Sequence, residues 1–140
     1  MKNPIRYPGR ALLAVSILLL SLAPLRVAAK VVTPEEYTEQ VRNHFAAEEW
    51  EEGKALLDEA LEKYPLASYL QYLAGRYWFH EEDYDKSRYH LLKAVDINYD
   101  NVDAKKLLVD VEDITQNYSS AICFVNELLE VQPYWRSLWR

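Results

Sequence analysis

The chain contains one cysteine, Cys123, and three glycines, at positions 9, 53 and 75. A single cysteine excludes a disulfide within the chain. It leaves two interpretations open, a small apolar residue packed on a helix or a bridge to another molecule. Three scattered glycines exclude a glycine-rich phosphate-binding loop. With few glycines and many Leu, Ala, Glu and Tyr residues, the composition favours a compact all-helical domain.

Basic residues are scarce once the N-terminus is set aside. Residues 1–29 hold four of the 16 basic groups and none of the 22 acidic groups, which leaves 12 basic against 22 acidic groups and a formal net charge of −10. Nucleic-acid binding needs a basic patch or stripe, and an anionic membrane surface attracts basic segments. We therefore expect neither as a partner.

The histidines do not form a recognisable catalytic or metal-binding pattern. His80 and Glu81 resemble the start of a zinc-protease helix motif, but Tyr84 stands where the second histidine is needed. His44 and Glu48 share a helix face, yet such a lone pair more often serves a cap or meets solvent. We expect no metal, no cofactor and no catalytic residue, and the protein is not predicted to be an enzyme.

Residues 1–29 have the three-part layout of a secretory signal peptide. Three basic residues precede an uncharged apolar run over residues 11–25, and small residues at 27–29 offer a cleavage site. The run is shorter than the roughly 20 residues of a membrane-crossing helix. We expect export to the periplasm or cell envelope, with no membrane insertion after the signal is removed. An uncleaved signal anchor, favoured by Arg26 close to the cut, is the alternative.

A period of 34 residues runs through the rest of the chain. Four kinds of side chain recur at this spacing: an aromatic residue, a small residue three positions later, an aliphatic residue, and a further small or aliphatic residue. The four sets are Trp50, Tyr84 and Tyr118; Gly53, Ser87 and Ala121; Leu57, Leu91 and Val125; and Ala60, Ala94 and Leu128. The period predicts three windows, 34–67, 68–101 and 102–135, each holding two antiparallel helices.

The repeated residues suit paired helices for physical reasons. Thr33 and Glu36 flank Pro34 in a pattern that predicts a reciprocal N-terminal cap. The aromatic residue is predicted to begin the second helix of each window, and the small residue to lie where the two helices approach most closely. Pro65 and Pro133 are predicted to stop the second helix, because proline lacks an amide donor.

The period, the aromatic and small positions and the late proline together resemble the tetratricopeptide repeat family. The middle window is the most similar. It matches the family at Gly75, Trp78, Tyr84, Ser87, Leu91 and Ala94. It departs at Gln71 and Tyr99, where the family has a bulky residue and a proline. The resemblance implies an all-α, right-handed superhelical solenoid of antiparallel helix pairs, with three repeats over residues 30–135 and the start of a fourth at 136–140.

The resemblance also implies a binding function. In the family, a peptide or protein segment contacts the concave face that the first helices line. Carried over position by position, the predicted contact residues are Arg42, Phe45, Tyr69, Tyr72, Arg76, Phe79 and His80. The alternative is that the aromatic rings simply fill space between repeats. The residues with which some family members clamp a chaperone's terminal carboxylate are absent here, since Asp103 and Leu107 stand at two of those positions.

Two functions follow from these expectations. The first is an exported scaffold that binds a protein or peptide on its concave face. The second is an N-terminal structural module of a longer cell-envelope protein, such as an outer-membrane or secretion component. Leu138 and Trp139 continue the repeat register. The apolar face of Val125, Leu128 and Leu129 would then be poorly covered, so the C-terminal repeat edge is also expected to support self-association.

Overall fold

A computed structural model describes residues 31–131, and this part of the chain contains six α-helices and no strand. The helices are α1 (Pro34–Ala46), α2 (Trp50–Lys63), α3 (Ser68–His80), α4 (Tyr84–Ile97), α5 (Val102–Ile114) and α6 (Tyr118–Val131). The predicted all-α fold is confirmed. The predicted signal peptide at residues 1–29, Pro133 and the start of a fourth repeat lie outside the described residues.

The helix boundaries repeat with the predicted period. The odd-numbered helices begin at residues 34, 68 and 102, the first positions of the three windows. The even-numbered helices begin at Trp50, Tyr84 and Tyr118, as the recurring aromatic residue predicts. The first and second helices of every pair are therefore the same length as their counterparts one period away.

The start of α1 has the predicted reciprocal cap. The Thr33 hydroxyl accepts a hydrogen bond from the Glu36 amide at 3.3 Å, and the Glu36 carboxylate accepts one from the Thr33 amide at 3.4 Å. Two later helices use a single acceptor instead. Asp83 accepts from the Lys86 amide at 3.1 Å, and Asn101 accepts from the Ala104 amide at 3.0 Å. These side chains satisfy amides that have no partner within the helix.

The turn inside each pair also repeats, and it uses no glycine. Glu48, Glu82 and Gln116 have φ angles of 63°, 58° and 61°, in the left-handed region. In the middle turn, the Asp83 amide donates to the Trp78 carbonyl at 2.9 Å, and the Glu82 amide donates to the Phe79 carbonyl at 3.1 Å. This is the Schellman pattern that ends a helix, normally with glycine at the left-handed position.

The helices of a pair are antiparallel and in close contact where small residues lie. A Cβ atom added to Gly75 would lie 2.5 Å from Leu91 Cγ, and the Ser87 hydroxyl donates to the Gly75 carbonyl at 2.8 Å. In the first pair, a Cβ atom on Gly53 would lie 2.7 Å from the Phe45 ring. Larger side chains would force the helices apart, as the sequence predicts for Gly53 and Ser87.

The same position in the first helix of every pair holds a buried side chain with a polar end group, namely Tyr37, Gln71 or Lys105. In the first pair, the Tyr37 hydroxyl donates to Glu59 at 2.6 Å. In the third pair, Lys105 Nζ lies 2.8 Å from Glu127 Oε2. Tyr37 and Lys105 are two periods apart, and so are Glu59 and Glu127. The same two positions of the repeat are therefore linked in the first and third pairs. Lys105 is only 1% exposed, and its ammonium group also lies 3.3 Å from the ring centroid of Tyr99.

Gln71 occupies this position in the middle pair. Its amide nitrogen donates to the Pro65 carbonyl at 2.8 Å, and its amide oxygen lies 2.9 Å from His90 Nδ1. Since the Gln71 oxygen can only accept, His90 Nδ1 is the donor. Burial lowers the pKa of His90, and the charges of nearby lysines lower it further. The family-atypical Gln71 is therefore a satisfied core residue.

The packing faces at the two ends of the described region differ in polarity: the outer face of α1 is polar, and that of α6 is apolar. Four positions of α3 are buried against the first pair, namely Leu70, Leu73, Ala74 and Tyr77. One period earlier, α1 has polar residues at all four, namely Glu36, Glu39, Gln40 and Asn43. At the other end, Val125 is 39% exposed, whereas its counterparts Leu57 and Leu91 are fully buried. Tyr118 and Ile122 extend this exposed apolar stripe on α6.

Among the described residues, no helix is both long and apolar enough to cross a membrane.

The turn conformation predicts that Glu82→Gly stabilises the fold. Glycine adopts the left-handed region without the steric cost that a Cβ atom brings, so the free energy of unfolding should rise by about 0.5–1 kcal/mol. Chemical denaturation followed by circular dichroism measures the change. As a control, Ala55→Gly at an exposed position inside α2 should lower the same free energy by about 1 kcal/mol. Equal losses in both variants would contradict the prediction.

Candidate functional site

The candidate site is the side of α1, α3 and α5 that faces away from the second helices, here called the first-helix face. The three helices lie side by side, since α1 contacts α3 and α3 contacts α5. The face comprises side chains spaced three or four residues apart, which share one side of a helix. They are Thr38 and Arg42 on α1; Tyr69, Tyr72, Arg76, Phe79 and His80 on α3; and Asp103, Lys106, Leu107, Asp110, Asp113 and Ile114 on α5.

Two tyrosines form the centre of the first-helix face. The rings of Tyr69 and Tyr72 meet edge to face with centroids 5.1 Å apart, the geometry favoured by aromatic quadrupoles. The Tyr69 hydroxyl donates to Asp103 Oδ2 at 3.2 Å and so connects α3 to α5. Both rings are half-buried, which leaves area that a partner can cover.

Both tyrosine hydroxyls stay protonated. Burial raises the pKa of Tyr69 and of Tyr72, and the negative charge of Asp103 raises both further. Arg42 and Arg76 act in the opposite direction on each hydroxyl. The two arginines and Asp103 are thus all close enough to influence the tyrosine pair, which presents neutral hydroxyl groups at physiological pH.

The two arginines of the face lack counter-charges within the described residues. Neither guanidinium is found in an ion pair or a hydrogen bond with any residue of the range 31–131. Arg42 is exposed and Arg76 is half-buried. A partly desolvated guanidinium with unused donors favours an incoming carboxylate or carbonyl group, because it can form two parallel hydrogen bonds with one carboxylate.

Two open depressions lie along the first-helix face. The first, of about 530 Å³, lies between α1 and α3 and includes Thr38, Arg42 and Tyr69, together with Glu35 and Glu39. The second, of about 560 Å³, lies between α3 and α5. Its lining is mainly aromatic and aliphatic, and consists of Trp50, Arg76, Phe79, His80, Glu82, Tyr84, Leu107 and Ile114. Both are large enough to receive side chains of a partner.

Acidic residues dominate the α5 part of the face. Burial raises the pKa of Asp110, and the neighbouring charge of Asp113 raises it further. Asp110 lies on the same helical stripe as Leu107 and Ile114, which line the second depression. No group of three or more His, Cys, Asp or Glu residues in the described region is arranged to hold a metal ion.

The structure groups six of the seven predicted contact residues. Arg42 and Tyr69 line the first depression, Arg76, Phe79 and His80 line the second, and the Tyr72 ring contacts that of Tyr69. His80 also stacks on Trp50 at 3.9 Å between centroids, with an interplanar angle of 10°. His80 therefore combines an exposed edge with a packed face.

The structure corrects the prediction that Phe45 is a contact residue. It is only 3% exposed and stacks on Trp50 at 4.7 Å and on Tyr77 at 6.3 Å between centroids. The close approach at Gly53 draws the Phe45 ring into the space between the helices, so Phe45 belongs to the core and not to the contact surface. The repeat register alone does not predict this burial, because the Phe45 ring fits between the helices only when residue 53 is glycine.

Sequence reasoning missed the contribution of the second helices to the face. The sequence predicts that Trp50 and Tyr84 begin a helix and pack beneath the turn, yet both also line the second depression. A signal was present: each residue follows a tight turn from a first helix, and His80 and Tyr84 are separated only by that turn. Residues on either side of a helix–helix turn necessarily lie close together.

The different roles of Phe45 and Arg42 predict different effects on stability. Phe45→Ala should lower the free energy of unfolding by about 3–5 kcal/mol, because it leaves a cavity in the core. Arg42→Ala, one turn earlier on the same helix, should change it by less than about 0.5 kcal/mol. Urea denaturation of both variants measures this. Similar values for the two would show that Phe45 is not a core residue or that Arg42 has a structural role.

The comparisons with known proteins leave the site to be interpreted from its own residues. No protein-family model matches the chain, and no curated protein matches it.

Proposed function

We propose that the protein is an exported scaffold of the tetratricopeptide type that binds a peptide or protein segment on its first-helix face. The observation that carries the proposal is the position of Arg76, which lines an open depression and whose charge acts on the nearby Tyr72 hydroxyl. Arg76 is half-buried and forms no ion pair in the described region, and apolar rings line the depression beside it.

The chemistry of this face suits protein recognition. Tyrosine and arginine are enriched among the residues that dominate binding energy at interfaces, because each buries a large area and still forms hydrogen bonds. The hydroxyl and guanidinium groups can bind backbone carbonyls and carboxylates of an extended segment, and Phe79 offers area to an apolar side chain.

The tetratricopeptide architecture is supported by the fold described above. Helix starts and left-handed turn residues both recur at intervals of 34 residues. A right-handed superhelical solenoid with a concave first-helix face is the arrangement that such a repeat usually adopts. Export to the periplasm or cell envelope is proposed from the signal-like residues 1–29 alone.

The double variant Tyr72→Ala/Arg76→Ala tests the binding function. Wild-type protein should enrich specific peptides from a phage library of random 12-residue segments. The double variant should bind these peptides at least roughly tenfold more weakly, because both anchors are removed. The matched control is Tyr89→Ala/Lys93→Ala, which removes a tyrosine and a cation at the same spacing from α4, outside the first-helix face.

Two results would contradict the binding function. One is the absence of any enriched peptide with wild-type protein. The other is unchanged affinity in a double variant that keeps its helical circular dichroism. A loss of helicity in Tyr72→Ala/Arg76→Ala, with none in the control, would instead support the alternative that the aromatic rings serve packing between repeats.

The exposed stripe on α6 favours a second candidate, the structural module of a longer cell-envelope protein. Ile122 is 60% exposed, and it lies with Tyr118 and Val125 at positions whose counterparts on α4 face α5. In a longer protein, a further helix would cover these residues. In the chain alone, the stripe would promote self-association.

Sedimentation velocity distinguishes these states. Wild-type chain should associate with increasing concentration, and Ile122→Asp should remain monomeric, because the charge opposes burial of the stripe. Leu92→Asp, at an exposed position of α4, is the control and should leave the association unchanged. A wild-type protein that stays monomeric at high concentration would contradict this candidate.

A further inference from the structure

Opposite charges lie on the two neighbouring first helices beside the second depression. Arg76 lines it from α3, while Asp110 and Asp113 lie on α5 beside the lining residues Leu107 and Ile114. In the described region, Arg76 forms no ion pair with either aspartate, and neither carboxylate is found in an ion pair with another residue. The adjacent helices thus hold charges that do not neutralise one another.

An external counter-charge would stabilise the charged forms of Arg76 and Asp110. Arg76 is half-buried, so part of its hydration is already lost. Burial and the charge of Asp113 raise the pKa of Asp110, so both effects act against its ionised form. A cation placed beside the two carboxylates would relieve their repulsion, and a carboxylate beside Arg76 would satisfy its donors.

The lining of the second depression is largely apolar. Phe79 and Tyr84 meet edge to face at 5.8 Å between centroids, and Leu107 and Ile114 complete the lining from α5. Ile114 is 47% exposed, so it has area to bury against a ligand. Glu82 also lines the depression, but it belongs to the exposed turn after α3.

We propose that the ligand of this face is a peptide segment with ordered chemistry: an acidic group that binds Arg76, a bulky apolar side chain in the second depression, and a basic group that binds Asp110 and Asp113. The inference rests on the proposed peptide-binding function and specifies its ligand class. The charge order fixes the direction in which the segment crosses from α3 to α5, because the reversed order places like charges together at both ends.

Charge reversal in a selection experiment tests the proposal. The probe is the same phage library of random 12-residue peptides. On wild-type protein, enriched sequences should contain an acidic residue, a bulky apolar residue and a basic residue in one order. Arg76→Glu should replace the selected acidic residue by a basic one, and Asp110→Lys should replace the selected basic residue by an acidic one. Each variant should bind the original peptides at least roughly tenfold more weakly.

Three further variants keep the test decisive. Arg76→Gln and Asp110→Asn remove each charge with little change in size, and they replace the reversed variants if those lose helical circular dichroism. Lys93→Glu on α4 is the control for a change in net charge, and it should leave the selected sequences unaltered.

The selection experiment distinguishes a ligand without the ordered charges from a protein that binds no peptide. If wild-type protein enriches peptides but their charges are the same for all folded variants, the ordered-ligand inference is overturned and peptide binding stands. If wild-type protein enriches no peptide, the proposed function itself fails, and the inference fails with it.

Discussion

The close approach of the two helices in the first and second pairs is the constraint on which the rest of the described structure depends. At Gly75 and at Gly53, even one added Cβ atom would meet a buried side chain of the partner helix at less than 3 Å. Helices this close cannot leave polar groups unsatisfied between them, so Ser87 donates to the Gly75 carbonyl. The contact orients each pair and thereby decides which residues face outward.

This orientation separates structural from exposed polar groups. The buried heads of Gln71 and Lys105 point between the two helices of a pair and find partners on the second helix or the preceding turn. The other side of the same first helices carries Arg42, Arg76 and Asp110, which have no such partners in the described region. One side of each first helix therefore holds paired polar groups, and the other carries charges that form no ion pair within the described region.

Periodicity made much of this predictable. The spacing of Trp50 and Tyr84 predicts where second helices begin, because an aromatic residue there packs under the turn, and the structure confirms both starts. Local chemistry likewise predicts the cap at Thr33. Phe45 was predicted wrongly as a surface residue, since its burial depends on the space that Gly53 leaves on another helix. Such a dependence has no periodic signal.

The amino-acid sequence by itself determined the helix positions, the places of close approach and the acidic balance, because each depends on local spacing or on composition. Tertiary structure decided which charges are neutralised. Lys105 and Asp110 are both charged residues of α5, but only Lys105 meets an opposite charge within the described region. The cause is distance: ion pairing needs groups within about 4 Å, and only the packing of α5 between its neighbours brings Glu127 that close.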